Sequence, residues 1–296
     1  MTRALLFLLL LTGPAVGADL KVATWNLEWL TERPVGDPEL PRDVSPKRAE
    51  DVEALRRYAT LLNADIVAFQ EVDGPAVAAR VFPPDRYGIH ITGDRVTQRV
   101  GFAVRHGLRV QQNPDLAALD VAEPGRSRLR SGADITLDWP GGRLRLLTVH
   151  LKSGCNEARL NSPSRTCEAL RQQVPALQDW IAQRREEGVP FVLLGDLNRR
   201  MDKRDELLDA LNATAPLLRA TEGHGSPCWG GGAFIDHILA GGAARGWMLP
   251  GTLRVLVYRE MDAEAKARLS DHCPVSVRFR LPGDVPTLAG TIKDAP

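Results

Sequence analysis

The sequence predicts an α/β fold in which the ends of buried strands carry the chemistry. Three observations lead there. Val192-Leu193-Leu194-Gly195-Asp196-Leu197-Asn198 is an apolar run that stops abruptly in a carboxylate and a carboxamide two residues apart. Such a run reads as a buried strand, and residues i and i+2 at its tip point the same way. Second, several other apolar runs also end in polar groups: Leu20–Leu27 runs into Asn26 and Glu28, Ile66–Phe69 into Gln70-Glu71, and Leu144–Val149 into His150. Third, amphipathic stretches of helical period lie between these runs.

The elements follow in order. Leu20–Leu27 alternates as a strand, with Val22, Thr24 and Asn26 on one face. Residues 31–46 hold four prolines and read as a loop. Ser45-Pro46 suits a helix start, and Ala49, Val52, Leu55, Ala59 and Leu62 make its apolar stripe, which ends at Asn63-Ala64-Asp65. Ile66–Phe69 is a second strand, residues 75–81 a short helix, and residues 87–91 and 100–105 further strands around the polar turn of Gln98 and Arg99. Residues 108–131 are irregular and bring together Arg126, Arg128 and Arg130, either a solvated basic face or a phosphate grip. Residues 133–139 and 144–149 flank Pro140-Gly141-Gly142 as a hairpin. Residues 168–187 form an amphipathic helix that Pro175 should kink or delay. After the Val192 strand come a short helix at 205–211, a glycine-rich loop at 223–232 around Cys228 and Trp229, and strands at 234–239, 253–258 and 275–280. Asp236 is expected in the middle of its strand, where a carboxylate needs a cation or a donor.

Composition bounds the function. Residues 1–18 have Arg3, an apolar run from Ala4 to Leu11 and small residues at 16–18, the pattern of a signal peptide too short to span a bilayer. Export to the periplasm or medium is expected, with no stable membrane association and a monomeric domain over 19–281 followed by an aperiodic tail at 282–296. Removal of residues 1–18 takes away Arg3 and no acid, so the formal charge falls from +1 to zero. A neutral chain has no overall field for a polyanion, which argues against a duplex-coating protein. An enzyme touching a few phosphates through local cations and a metal stays open. Four cysteines in an exported chain point to two disulfides. Local closure favours Cys155–Cys167 among three pairings, which leaves Cys228–Cys273. No Cys-x-x-Cys metal spacing appears.

Trp25-Asn26-Leu27-Glu28, Gln70-Glu71, His150, Gly195-Asp196-Leu197-Asn198, Phe234-Ile235-Asp236-His237 and Ser270-Asp271-His272-Cys273-Pro274 together resemble the motif series of the endonuclease/exonuclease/phosphatase superfamily, in order over about residues 20–280. The resemblance implies a DNase I-like α/β four-layer sandwich: two packed mixed β-sheets with helices on both outer faces. It implies a metal-dependent phosphoester hydrolase, closest in pattern to exported bacterial members. Glu71, Asn26 and Asp271 would hold Mg2+, with Mn2+ or Ca2+ as alternatives. Asp196 and Asn198 would orient the attacking water, His272 paired with Asp236 would serve as base or electrostatic partner, and His150 would bind phosphate or protonate the leaving group. Glu28 stands where some members have Asp. The phosphate-facing Tyr of several nucleases has no obvious counterpart, and Gln98, Arg99 and Arg130 are candidates for that region. Nucleic acid is the first expected substrate. The alternatives are a sphingomyelinase-type lipid phosphodiesterase, a phosphomonoesterase, and a non-catalytic binding module.

Overall fold

Two six-stranded mixed sheets pack face to face in the computed structural model, which describes residues 19–122, 128–201, 204–260 and 262–283. The expected leader at 1–18 and most of the expected tail lie outside the described residues. The first sheet contains β1 (Asp19–Leu30), β2 (Ile66–Val72), β3 (Tyr87–Ile91), β4 (Arg99–Arg105), β11 (Arg254–Val255) and β12 (Val275–Arg280). Their order is β11-β12-β1-β2-β4-β3. The second contains β5 (Arg109–Gln112), β6 (Ala133–Trp139), β7 (Gly142–His150), β8 (Phe191–Asp196), β9 (Leu217–Arg219) and β10 (Asp236–Gly241). Their order is β5-β6-β7-β8-β10-β9.

Each sheet has one parallel pair at its centre, β1 with β2 and β7 with β8, and antiparallel strands on both sides. A parallel pair needs a crossover, and α1 (Ala49–Leu62) and α3 (Arg165–Glu186) provide the two. The register sets Asn26 beside Gln70 and His150 beside Asp196, so both pairs deliver polar groups at their carboxyl ends. The two sheets thus repeat one arrangement and face their chemistry toward each other.

Alternation along the strands builds the layers. Val22, Ile66, Ala68 and Phe102 meet Ile135, Leu146, Val192, Leu194 and Ile238 between the sheets. The alternate residues Ala23, Trp25, Val67 and Phe69 pack outward on Leu55, Tyr58 and Leu62 of α1 and on α2 (Pro75–Val81). On the far side Leu147, Val149 and Leu193 pack on α3 and α4 (Glu206–Thr214). Among the inter-sheet residues, Gln70 accepts from Thr24 at 3.3 Å and donates to Thr148 at 2.9 Å, a buried polar tie just below the strand ends. Short α5 (Ala244–Trp247) and α6 (Ala263–Arg268) complete the chain.

Several expectations are corrected. The Asp236 strand starts at Asp236 instead of carrying it mid-strand, because β10 runs antiparallel to β8 and pairs Asp236 with Asp196. The expected 253–258 strand shrinks to β11. α1 starts at Ala49, three residues after Pro46; the chain stays extended through Arg48, whose backbone N–H donates to Asp51, and buries Lys47 on the way. α3 starts earlier than expected, at Arg165, because Ser164 caps it and Cys167 in its first turn is tied to Cys155. Pro175 sits inside that helix and has no N–H to give the Arg171 carbonyl. Both disulfides have the expected pairing, Cys155–Cys167 and Cys228–Cys273. No described helix is long and apolar enough to cross a membrane. Pro282, placed in the expected tail, is packed: its carbonyl accepts from Trp139 at 2.8 Å.

Candidate active site

Strand ends from both sheets converge on one buried acidic pocket. The Asn26 amide nitrogen links them, donating to Glu71 at 2.9 Å and to Asp196 at 3.0 Å. Glu71 also accepts from Gln98 at 2.6 Å and from the Trp29 backbone at 3.2 Å. His150 Nε2 lies 3.6 Å from both carboxylates. On the other side His272 Nδ1 bonds Asp236 at 2.7 Å, and its Nε2 lies 3.7 Å from Asp196. Asp196 therefore stands between the two histidines.

Asp236 and His272 enter from the amino ends of β10 and β12, which run against the parallel pairs, so the pocket is not built from carboxyl ends alone. Three of the backbones there are irregular. Both β1 and β2 shift register at their ends, and Glu28, Trp29, Glu71 and Asn198 all have positive φ. Non-glycine residues in this region cost on the order of 1–3 kcal/mol each and cluster at functional sites. Gly195 has a φ of 137° and its Cβ would lie 2.1 Å from the Val149 carbonyl, so only glycine lets β8 lie this close to β7.

Electrostatics separates the two histidines. Burial, reinforced by the Arg130 guanidinium, holds the His150 imidazole well below its ordinary range, so it is neutral. Burial opposes the charge on His272, but the carboxylates of Asp236 and Asp196 outweigh it and hold the imidazole well above its ordinary range. Burial, and then Asp236, push the Asp196 carboxyl up against the pull of His272. Two buried atoms lack a partner here, His150 Nδ1 and Asp236 Oδ1.

The remaining expected residues take supporting positions. Asn198 donates its amide to the Leu151 carbonyl at 3.0 Å and its backbone N–H to Asp196 at 2.8 Å, which fixes the Asp196 rotamer. Arg130 is buried, not part of a solvated face; it donates to the carbonyls of His150 at 2.9 Å and Leu151 at 3.3 Å and to Gln98 at 3.3 Å. Arg128 is exposed on Asp120, and Arg126 lies outside the described residues. Arg99 bonds the Asp73 carbonyl instead of entering the pocket. Glu28 turns to the Asp271 backbone N–H at 2.9 Å and to the buried Lys47 at 3.7 Å. Burial raises the Glu28 carboxyl to about 7. Asp271 is exposed, with its carboxylate 3.6 Å from His272 Nε2. His237, beside Asp236 in sequence, is buried on Thr221 and the Arg199 carbonyl and belongs to the core.

Sequence reasoning missed Ser270 and Lys47. Ser270 Oγ donates to the Asn26 carbonyl at 2.8 Å and accepts from the His272 backbone at 3.0 Å, which ties the last loop to β1. Its place directly before Asp271-His272 was the available signal. Lys47 gave none, since its burial depends on how the proline-rich loop returns.

The donor set fits a hard cation. The carboxylates of Glu71 and Asp196 converge on one amide group, and oxygen donors of this kind suit Mg2+. The Asn26 oxygen accepts from the Glu28 backbone N–H at 2.9 Å, so the amide must turn and give up that bond to offer its oxygen to an ion. Asp196, Asp236 and His272 also place ligand atoms within 4.8 Å of one another. That cluster suits a charge pair better, because an imidazolium has no lone pair to give and its Nδ1 is bonded to Asp236.

The sequence profile of the Endonuclease/Exonuclease/phosphatase family matches residues 23–272, a span that contains every one of these residues. The chain belongs to the endonuclease/exonuclease/phosphatase family. Membership makes it a phosphoester hydrolase, and enzymes of this family use divalent metals. Solved structures share the fold at low identity. Humanized D. rerio TDP2 aligns with a TM-score of 0.60 and 18% identity over 89% of this chain and 99% of that one. The 3' phosphatase NExo from Neisseria, in a variant form bound to a product DNA hairpin, aligns at 0.55 and 19% over 88% and 100%. The human Nocturnin catalytic domain aligns at 0.55 and 15% over 90% and 95%. No curated protein matches the sequence significantly.

Proposed function

We propose that the chain is an exported, Mg2+-dependent phosphodiesterase that hydrolyses nucleic acid, with Mn2+ or Ca2+ able to replace or assist the ion. One observation carries the reading: Asn26, Glu71 and His272 from one sheet and Asp196, His150 and Asp236 from the other share a single pocket. Clefts open on both sides of it. One, of about 360 Å3, is bordered by Trp29, Gln98, Arg95, Arg128 and Arg130. The other, of about 300 Å3, is bordered by Asp236, His272, Trp229, Arg200 and Lys266. Cations in both clefts, beside Glu39 in one and Asp271 in the other, suit phosphates approaching a metal from either side. Solved structures of similar fold hold product DNA, a hairpin in the Neisseria 3' phosphatase and a single strand in D. rerio TDP2.

Glu71 and Asn26 would hold the ion, whose charge would neutralise the scissile phosphate and the leaving oxygen. Asp196, with its raised carboxyl pKa and its rotamer fixed by Asn198, accepts the proton of the attacking water. His272, kept charged by Asp236, binds a non-bridging oxygen. Neutral His150 donates a hydrogen bond from Nε2 toward the same phosphate. No side chain needs to be attacked. Asp271 would assist Glu71 and Asn26 in holding the ion.

A bilayer substrate fits less well. The large exposed hydrophobics among the described residues are Val35, Leu61 and Leu218, scattered singly, and single residues of this kind make no membrane-binding face. The test is a panel of plasmid DNA, RNA, sphingomyelin and an inositol polyphosphate, each with Mg2+. Cleavage of a nucleic acid is expected. Release of phosphocholine or inorganic phosphate with both nucleic acids intact would overturn the reading.

A further inference from the structure

Trp229 has an arrangement that the hydrolytic machinery does not use. It has φ 48° and ψ 43°, a left-handed conformation that a bulky residue adopts only when its surroundings force it. Three restraints do so. Cys228 beside it is bonded to Cys273, the residue after His272. The indole N–H donates to the Ser270 carbonyl at 2.9 Å. One ring face stacks on Tyr258 at 5.2 Å and 24°, and Tyr258 in turn donates to the His272 carbonyl at 2.9 Å. The indole is thus fixed to the same loop that positions the catalytic imidazole.

The ring borders the cleft that also contains His272 and Asp236, and a second cleft beside Lys266. The residues that follow it are Gly230, Gly231 and Gly232, and a Cβ at Gly230 or Gly232 would meet nothing within 4 Å. No side chain of that stretch covers the indole. A rigid, half-buried aromatic surface beside a phosphate site, with cations nearby, suits a flat heterocycle joined to a phosphate.

We infer that Trp229 is a stacking platform for the nucleobase flanking the scissile phosphodiester on the His272 side. This rests on the nucleic-acid reading above. Stacking of this kind tolerates any base, since every base has a π-face. A membrane role for the ring is disfavoured by the bond to Ser270 and the stack on Tyr258, which keep it in the cleft wall instead of protruding.

The test uses an oligonucleotide with one cleavable phosphodiester, either intact or with the base on one or the other flank replaced by a tetrahydrofuran spacer. In the wild type with Mg2+, removal of one of the two bases should lower kcat/KM about ten-fold, chiefly through KM. In Trp229→Ala that preference should disappear, and Trp229→Phe should keep most of it. The inference is overturned if the wild type is indifferent to both base removals, or if Trp229→Ala keeps the full preference, whatever its overall activity. It is also overturned if Trp229→Ala instead abolishes sedimentation with phosphatidylcholine–sphingomyelin vesicles. Failure of the wild type to cut the intact oligonucleotide sinks the nucleic-acid reading itself, a separate result.

Discussion

Asn26 touches two carboxylates from different sheets with one amide group, and that contact defines the pocket at the residue scale. Removing it in Asn26→Ala leaves Glu71 and Asp196 facing each other without a donor between them. We expect activity to fall by at least about 10²-fold while the circular dichroism spectrum is retained. The two histidines should respond differently to substitution. His272→Ala should lower kcat by about 10² to 10⁴ and leave Asp236 without its partner; His272→Asn should rescue little, because an amide has no charge to offer the phosphate. Single-turnover rates on one oligonucleotide would check both. His237 is a separate case, for its Nε2 faces the Arg199 carbonyl, which can only accept, so Nε2 carries the proton and Nδ1 accepts from Thr221. Burial lowers its imidazole to about 4. Between about pH 6.5 and 4 the unfolded chain binds a proton that the folded chain refuses, so His237 costs up to about 3 kcal/mol of stability as pH falls through that window. Asp196, raised by burial, has the opposite sign, so the useful quantity is the difference between wild type and His237→Gln. Urea midpoints from pH 7 to 4 should decline less steeply in the variant; parallel declines would contradict the assignment.

At the scale of elements, the strand ends are bent around the proposed site. Glu71 and Asn198 reach the pocket from positive φ, and both β1 and β2 shift register within a few residues of it. The sequence made the strands and their polar tips legible because burial on both faces leaves long apolar runs. It hid the direction of β10 and β12. A strand that begins with an acid and one that ends with it look alike when the pairing is unknown, so Asp236 reads as an interior charge although it starts its strand. It also hid the role of Arg130, because three arginines in one irregular stretch look alike until one of them is buried against two carbonyls. Gly195, by contrast, has a reason visible only in three dimensions. Gly195→Ala places a methyl group 2.1 Å from the Val149 carbonyl, so β7 and β8 must separate. A loss of about 3 kcal/mol or more is expected, read as a lowered melting temperature; an unchanged melt would show that the two strands can move apart freely.

Across the whole molecule, the two sheets each bring one parallel pair to a common edge, and the site exists only where they meet. The alternation of apolar residues and the motif order were enough to anticipate that architecture. The lengths of α1 and α3 were not, since a buried Lys47 and a disulfide in the first turn of α3 moved their starts. The disulfides act on different parts of the fold. Cys155–Cys167 closes a separation of 12 residues at the start of α3 and should contribute about 3 kcal/mol, read as a shift in urea midpoint in the Cys155→Ser/Cys167→Ser double variant with turnover largely kept. Cys228–Cys273 closes 45 residues beside His272, and its loss should lower turnover as well as stability.

A divalent ion held at Glu71 is proposed to work with Asp196 and His272 on one phosphodiester. That is tested most directly by the rate of oligonucleotide cleavage in wild type and Glu71→Gln as Mg2+ is titrated from an EDTA-treated stock. No cleavage is expected without the ion, with a saturable rise in wild type and, for Glu71→Gln, a rise displaced to higher Mg2+ with a maximal rate lower by about 10²-fold or more. Full activity in EDTA, or a Glu71→Gln curve that overlays the wild type, would contradict it.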